Sequence, residues 1–144
     1  YKNKTNKKFK LLLVEDTPFF RSLEKQYLES AGYKVDLANN GMEAMKKLSS
    51  NKYDLFVVDI IMPKMDGFEF IKTIKNNPET YETPAVALTT LSDEESRSKA
   101  LNLGFDAYEV KLHKDHLLDT IKELIGEQKS AKKLDKKTKK SNKK

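Results

Sequence analysis

Apolar residues recur along this chain in short runs separated by longer stretches with helical spacing. Runs near 9–14, 34–38, 54–59, 84–89 and 107–111 are rich in aliphatic and aromatic residues and predict strands. Between them, Pro18 after Asp16-Thr17 marks a helix start, and Gly32 follows that helix's end. A second helix is expected from about Gly41 to Ser49. A third begins near Gly67, with Phe68, Ile71 and Ile74 on one face. Ser92-Asp93-Glu94-Glu95 has the capping-box pattern and opens a fourth helix, which Gly104 closes. Leu117, Leu118, Ile121, Leu124 and Ile125 form the apolar stripe of a fifth. Five βα units with no spare segment predict an α/β fold, a doubly wound five-stranded parallel sheet.

In such a sheet, ligands bind outside the carboxyl ends of the strands. Four of the predicted strands run directly into functional groups. The first leads to Glu15-Asp16, the third ends in Asp59, the fourth in Thr89-Thr90, and the fifth in Lys111. Three carboxylates gathered at one place repel one another unless a cation lies among them. Mg²⁺ suits the set, because it is a hard ion that takes one or two carboxylates and keeps waters that a phosphate can replace. A carboxylate nucleophile, a divalent ion, a lysine and a hydroxyl donor together fit phosphorylation of an aspartate.

Charge changes this picture little once it is divided along the chain. The net charge of +6 comes from the ends. Residues 1–8 carry four lysines and no acid, and residues 127–144 carry nine lysines against Glu127 and Asp135. Residues 9–126 hold 15 basic and 20 acidic residues, so the core is acidic. The lysine-rich end has few apolar anchors and is expected to be disordered. It has no aromatic residue to stack on bases, so a nucleic-acid partner is not expected. Zero cysteines exclude disulfides and thiolate metal sites. No run approaches the roughly 20 apolar residues of a membrane span, and a cytoplasmic location is expected. The division predicted is a basic linker stub (1–8), one domain (9–126) and the tail (127–144). Tyr1 in place of Met suggests a piece of a longer protein.

Val14-Glu15-Asp16, Asp59 with Met62-Pro63-Lys64-Met65-Asp66-Gly67, Thr89, Tyr108 and Lys111 stand in order at telling spacings. On these residues the chain resembles the receiver domains of two-component response regulators over about 9–126. The resemblance implies a flavodoxin-like fold with strand order 2-1-3-4-5 and five helices. It makes Asp59 the phosphoacceptor. Asp16, Asp59 and the backbone carbonyl of Ile61 would bind Mg²⁺, with Glu15 acting through water. Lys111 would pair with the phosphoryl group, and Thr89 and Tyr108 would form a conformational switch. The partner implied is the phosphotransfer domain of a histidine kinase, and the only catalysis is that of the domain's own phosphorylation and dephosphorylation. Glu15-Asp16-Thr17-Pro18-Phe19-Phe20-Arg21 and Gly104-Phe105-Asp106-Ala107-Tyr108 narrow the resemblance further. They are similar to receivers fused to the C-terminus of chemotaxis histidine kinases, or to those of chemotaxis coupling proteins. Chemotaxis adaptor or kinase domains then become expected neighbours.

Two departures from the family's pattern stand out. Leu112 follows Lys111 where most receivers have proline, so a cis bond there is not expected. Ile61 and Leu91 occupy positions that are polar in many receivers and cannot orient a hydrolytic water, which implies slow loss of the phosphoryl group. Ile61 also stands where aspartate-dependent phosphatases carry a second aspartate, which disfavours a hydrolase. A receiver fold that binds a partner without being phosphorylated, or a stand-alone response regulator, is the alternative. Phe19 and Phe20 are expected to divide between core and surface. Met62 and Met65 read as gap-fillers, and His113 and His116 as surface residues.

Overall fold

A computed structural model describes residues 8–138, with side chains to residue 126. Five strands, β1 (Lys10–Val14), β2 (Lys34–Ala38), β3 (Leu55–Val58), β4 (Ala85–Thr89) and β5 (Ala107–Val110), alternate with five helices. These are α1 (Pro18–Ser30), α2 (Gly41–Leu48), α3 (Gly67–Lys75), α4 (Glu94–Leu103) and α5 (Lys114–Thr138). All strand pairs are parallel and the sheet order is β2-β1-β3-β4-β5. This is the doubly wound, flavodoxin-like arrangement expected from the sequence, with the chain reversing direction across the sheet between β1 and β3.

The central strands are buried on both faces, which is why they read as unbroken apolar runs. Successive side chains point to opposite faces and build two separate cores. Leu12, Val14, Phe56, Val58 and Ala87 pack against Ala44, Phe70, Ile71, Ile74 and Ala100 of α2, α3 and α4. Leu11, Leu13, Val57 and Leu88 pack against Leu28, Leu117, Ile121 and Ile125 of α1 and α5.

Local chemistry sets the helix starts. Asn40 and Asp66 cap α2 and α3, their side chains accepting from the Glu43 and Glu69 amides at 2.9 Å. The start of α4 differs from expectation by one residue. Asp93, not Ser92, accepts the Ser96 amide at 2.9 Å, a carboxylate being the stronger acceptor for the helix's positive end. Gly104 closes α4 with φ 127°, a conformation that side-chain-bearing residues rarely adopt.

The segment expected to be disordered, 127–144, falls partly within the described residues. Helix α5 continues through Thr138, while residues 139–144 and 1–7 lie outside the described residues. The physical reason is propagation. A segment dominated by Lys, with Glu, Gln, Ala and Leu and without Pro or Gly, extends an existing helix at one hydrogen bond per residue, with no new nucleus to form. Burial is not required for that.

Gly67 places α3 against the acceptor strand. Its amide donates to the Ile60 carbonyl at 2.9 Å. A Cβ here would stand 2.6 Å from the Asp59 carbonyl oxygen and 2.7 Å from the Ile60 Cα, both backbone atoms that cannot swing aside. Gly67→Ala is therefore expected to cost about 1–3 kcal/mol and to displace the loop after Asp59. A thermal melt indistinguishable from wild type would contradict this.

Candidate functional site

Register brings the functional strand ends level with one another. Val14 pairs with Val58, and the Asp59 amide donates to the Val14 carbonyl at 2.9 Å, so Glu15 and Asp59 leave adjacent strands side by side. Thr89 pairs with Val110, and the Lys111 amide donates to the Thr89 carbonyl at 2.7 Å. Tertiary pairing thus converts four separated sequence positions into one cluster.

Glu15, Asp16 and Asp59 each offer an oxygen within 4.8 Å of the others. Glu15 and Asp59 are buried and Asp16 is half-buried at the mouth. Lys111 Nζ bridges them, 2.7 Å from Glu15 Oε1 and 3.4 Å from Asp59 Oδ2. Glu15 Oε2 accepts the Thr17 amide at 3.2 Å, and Asp59 Oδ1 accepts the Ile61 amide at 3.3 Å. The Lys111 ammonium also rests 4.1 Å from the Phe20 ring centroid, a cation–π contact that fixes its stem against α1. Arg21 Nη1 donates to the Glu15 and Asp16 carbonyls and steadies the turn into α1.

Burial pushes the Asp59 carboxyl up to about 7, helped by the Glu15 charge and opposed by Lys111. For Lys111, burial works downward, but Glu15 and Asp59 outweigh it and hold the ammonium above its ordinary value. A carboxyl that takes up a proton near neutrality is a poor nucleophile. Extra positive charge among the carboxylates restores the anion, and three hard oxygen donors at this separation fit a divalent ion such as Mg²⁺.

Thr89 is fully buried, its Oγ1 accepting the Leu91 amide at 3.2 Å. Tyr108 lies half-buried on β5 and its hydroxyl donates to the Leu91 carbonyl at 2.9 Å, so both residues are tied to the same loop residue. The Ile61 side chain is 55% exposed beside the site. All described peptide bonds are trans, and Leu112 turns the chain after Lys111 with φ 75°, a left-handed conformation that costs a non-glycine residue about 1–2 kcal/mol. Phe20 packs under Lys111 while Phe19 is exposed. Met62 is buried against the α2–α3 core and Met65 half-buried beside it, and the exposed His113 and His116 rings stack edge to face.

Two contributors escaped the sequence reading. Phe20 was assigned no contact with the lysine. Glu24 went unremarked, yet it is buried on α1, within reach of the Glu15 charge. Burial pushes it up to about 9, with the Glu15 charge adding to the effect. The available signal was spacing: Phe20, Glu24 and Leu28 recur at four-residue intervals, which puts an acid on an apolar stripe.

Known proteins resemble this chain in sequence and in fold. The chain is 37% identical over 105 residues to a gliding motility regulatory protein of Myxococcus xanthus, covering 73% of this chain but only 14% of that one. The signal receiver domain of a histidine kinase from Syntrophus aciditrophicus superposes with a TM-score of 0.76 at 33% identity, covering 82% of this chain and 90% of that one. The receiver domain of a sensor histidine kinase from Pseudomonas aeruginosa, solved with magnesium coordinated in its active site cleft, gives a TM-score of 0.77 at 27% identity, covering 83% and 99%. Residues 11–122 match the response regulator receiver domain, and the chain belongs to that family.

Proposed function

We propose that this chain accepts a phosphoryl group on Asp59 from a kinase phosphohistidine. We further propose that it serves as the C-terminal receiver of a chemotaxis histidine kinase in the cytoplasm, draining or tuning that kinase's phosphoryl flux. The observation that carries the reading is Lys111 Nζ placed between Glu15 and Asp59 at the ends of adjacent parallel strands. The intact set of acids, lysine and buried threonine favours this over a receiver fold that merely binds. The fused context rests on the likeness to a kinase's receiver domain and on the small share of its Myxococcus relative that the chain spans. A receiver of a coupling protein is the nearest alternative.

An Asp59 carboxylate oxygen forms the new P–O bond as the donor's P–N bond breaks, and the imidazole leaves with its electron pair. Asp16, Asp59 and the Ile61 carbonyl would hold Mg²⁺, with Glu15 behind them, and the ion would neutralise charge on the phosphoryl oxygens. Lys111 moves its ammonium toward the new oxygens, and the Thr89 hydroxyl donates to one of them. That movement releases the loop at Leu91 and lets Tyr108 turn inward. Phosphorylation adds about −2 charge at this point, enough to reorder nearby donors.

The test is incubation with acetyl phosphate, with and without Mg²⁺, followed by intact mass. A Mg²⁺-dependent phosphoryl adduct is expected, and Ile61 and Leu91 predict that it outlasts a chase by minutes. An adduct that forms equally well in chelator, or disappears within seconds, would count against the reading.

A further inference from the structure

The chain contains two histidines, and the fold brings them together. His113 ends the turn after Lys111, and His116 lies in the first turn of α5. Their ring centres stand 5.5 Å apart with the planes at 89°. Burial does not drive the contact, because both residues are exposed. Nor does hydrogen bonding, since among the described residues no group bonds to either imidazole. The ring nitrogens are left open to a ligand. Lys114 and Asp115, the residues between them, carry opposite charges and leave little local field against a cation.

The backbone beneath the pair is fixed. The His113 carbonyl accepts the Leu117 amide at 3.1 Å, and the Leu117 side chain is fully buried in the α1–α5 core. Leu112 sets the approach from the other side with φ 75°. The start of α5 thus places both residues, while the exposed rings can turn about their side-chain bonds. A bond from imidazole to a metal is about 2.0–2.1 Å, so two rings on one ion bring their centres to roughly 5 Å. A small rotation separates the observed 5.5 Å pair from that arrangement.

The chemistry differs from that of the phosphoacceptor site. Neutral imidazole favours Zn²⁺, Cu²⁺ and Ni²⁺, whereas the oxygens of Glu15, Asp16 and Asp59 suit a hard ion. Among the described residues no carboxylate joins the histidines to make a group of three, so water would complete the coordination.

We propose that His113 and His116 form a two-histidine site for a first-row transition-metal dication, which clamps the turn after Lys111 to the first turn of α5. The site is separate from the carboxylate cluster and does not depend on phosphorylation.

The experiment titrates the untagged protein with ZnCl₂ in excess Mg²⁺, which competes for the carboxylates, and follows it by NMR. Two histidines give two sets of imidazole signals, with no others to confuse them. Both sets should shift together and saturate at one Zn²⁺ per chain. Hydrogen exchange at the Leu117 amide should slow, because the carbonyl it binds belongs to a clamped residue. His113→Asn and His116→Gln should each weaken Zn²⁺ binding about tenfold or more, since each removes one of two ligands. Both side chains are exposed, and asparagine suits the position before a helix, so the variants should fold. Imidazoles that respond with different midpoints overturn the proposal, as does either variant binding like wild type. Imidazoles that stay unmoved while the Glu15, Asp16 and Asp59 amides shift also overturn it, for the metal then prefers the carboxylates. Unchanged Leu117 exchange in the Zn²⁺-loaded protein defeats the clamp. The wild-type imidazole signals decide the matter even if a variant is lost.

Discussion

Asp59→Asn is expected to abolish the acetyl phosphate adduct outright while leaving the fold intact. The amide nearly matches the carboxyl in shape and can still accept the Ile61 amide, so the loop after β3 keeps its hydrogen bond. What disappears is the nucleophilic oxygen, and no neighbour can replace it. Glu15 is fully buried and committed to Lys111 and the Thr17 amide. Asp16 is nearer the surface, but it faces no lysine in the described structure. Replacement also relieves a desolvated acid. With its carboxyl raised to about 7, Asp59 confers stability that is fully present below the unfolded value near 3.8 and lost as pH rises through about 7. In chelator, Asp59→Asn should therefore melt higher than wild type above neutrality and lose that advantage in acid. A phosphoryl adduct of wild-type yield in the variant would move the acceptor elsewhere.

The second large effect is thermodynamic and belongs to Glu24. Its folded value is raised from 4.5 to about 9, first by burial and then by the Glu15 charge. The unfolded chain releases this proton near 4.5, whereas the folded protein keeps it until about 9. Stability from this group is thus complete below pH 4.5 and falls steadily as pH climbs toward 9. Each pH unit is worth about 1.4 kcal/mol, so near neutrality the penalty reaches on the order of a few kcal/mol. Glu24→Gln, which has no proton to hold, should melt roughly ten degrees above wild type at neutral pH. The gap should close on acidification to the range where free glutamate is protonated. A gap that is constant across that range would show that packing, not ionisation, separates the two proteins.

The strands and their chemistry were legible for a single reason. In a buried parallel sheet each strand is an apolar run, and its polar terminus is where that run stops, so Asp59 and Lys111 mark their own places. Sheet register then does the rest, and register follows from the same apolar pattern. Glu24 was not legible because a glutamate between Leu23 and Lys25 reads as a solvated helix residue. Its burial arises only when α1 is laid beside the Lys111 strand end. The one-residue displacement at the α4 cap came from two competent capping residues in succession, Ser92 and Asp93. Helix α5 runs on past Gly126 because a helix already begun can be prolonged without burying surface, a property that composition does not display.

The sheet is a partition as well as a scaffold. Leu91 and Tyr108 lean on the apolar layer shared with α2, α3 and α4, whereas Leu28, Leu117 and Ile121 fill the opposite layer. On the function proposed above, a disturbance that starts at Thr89 would enter the first layer through Leu91 and Tyr108, with the hydrogen-bonded sheet between it and the second. One surface of the molecule would then report the state of Asp59, while the other would keep a constant shape.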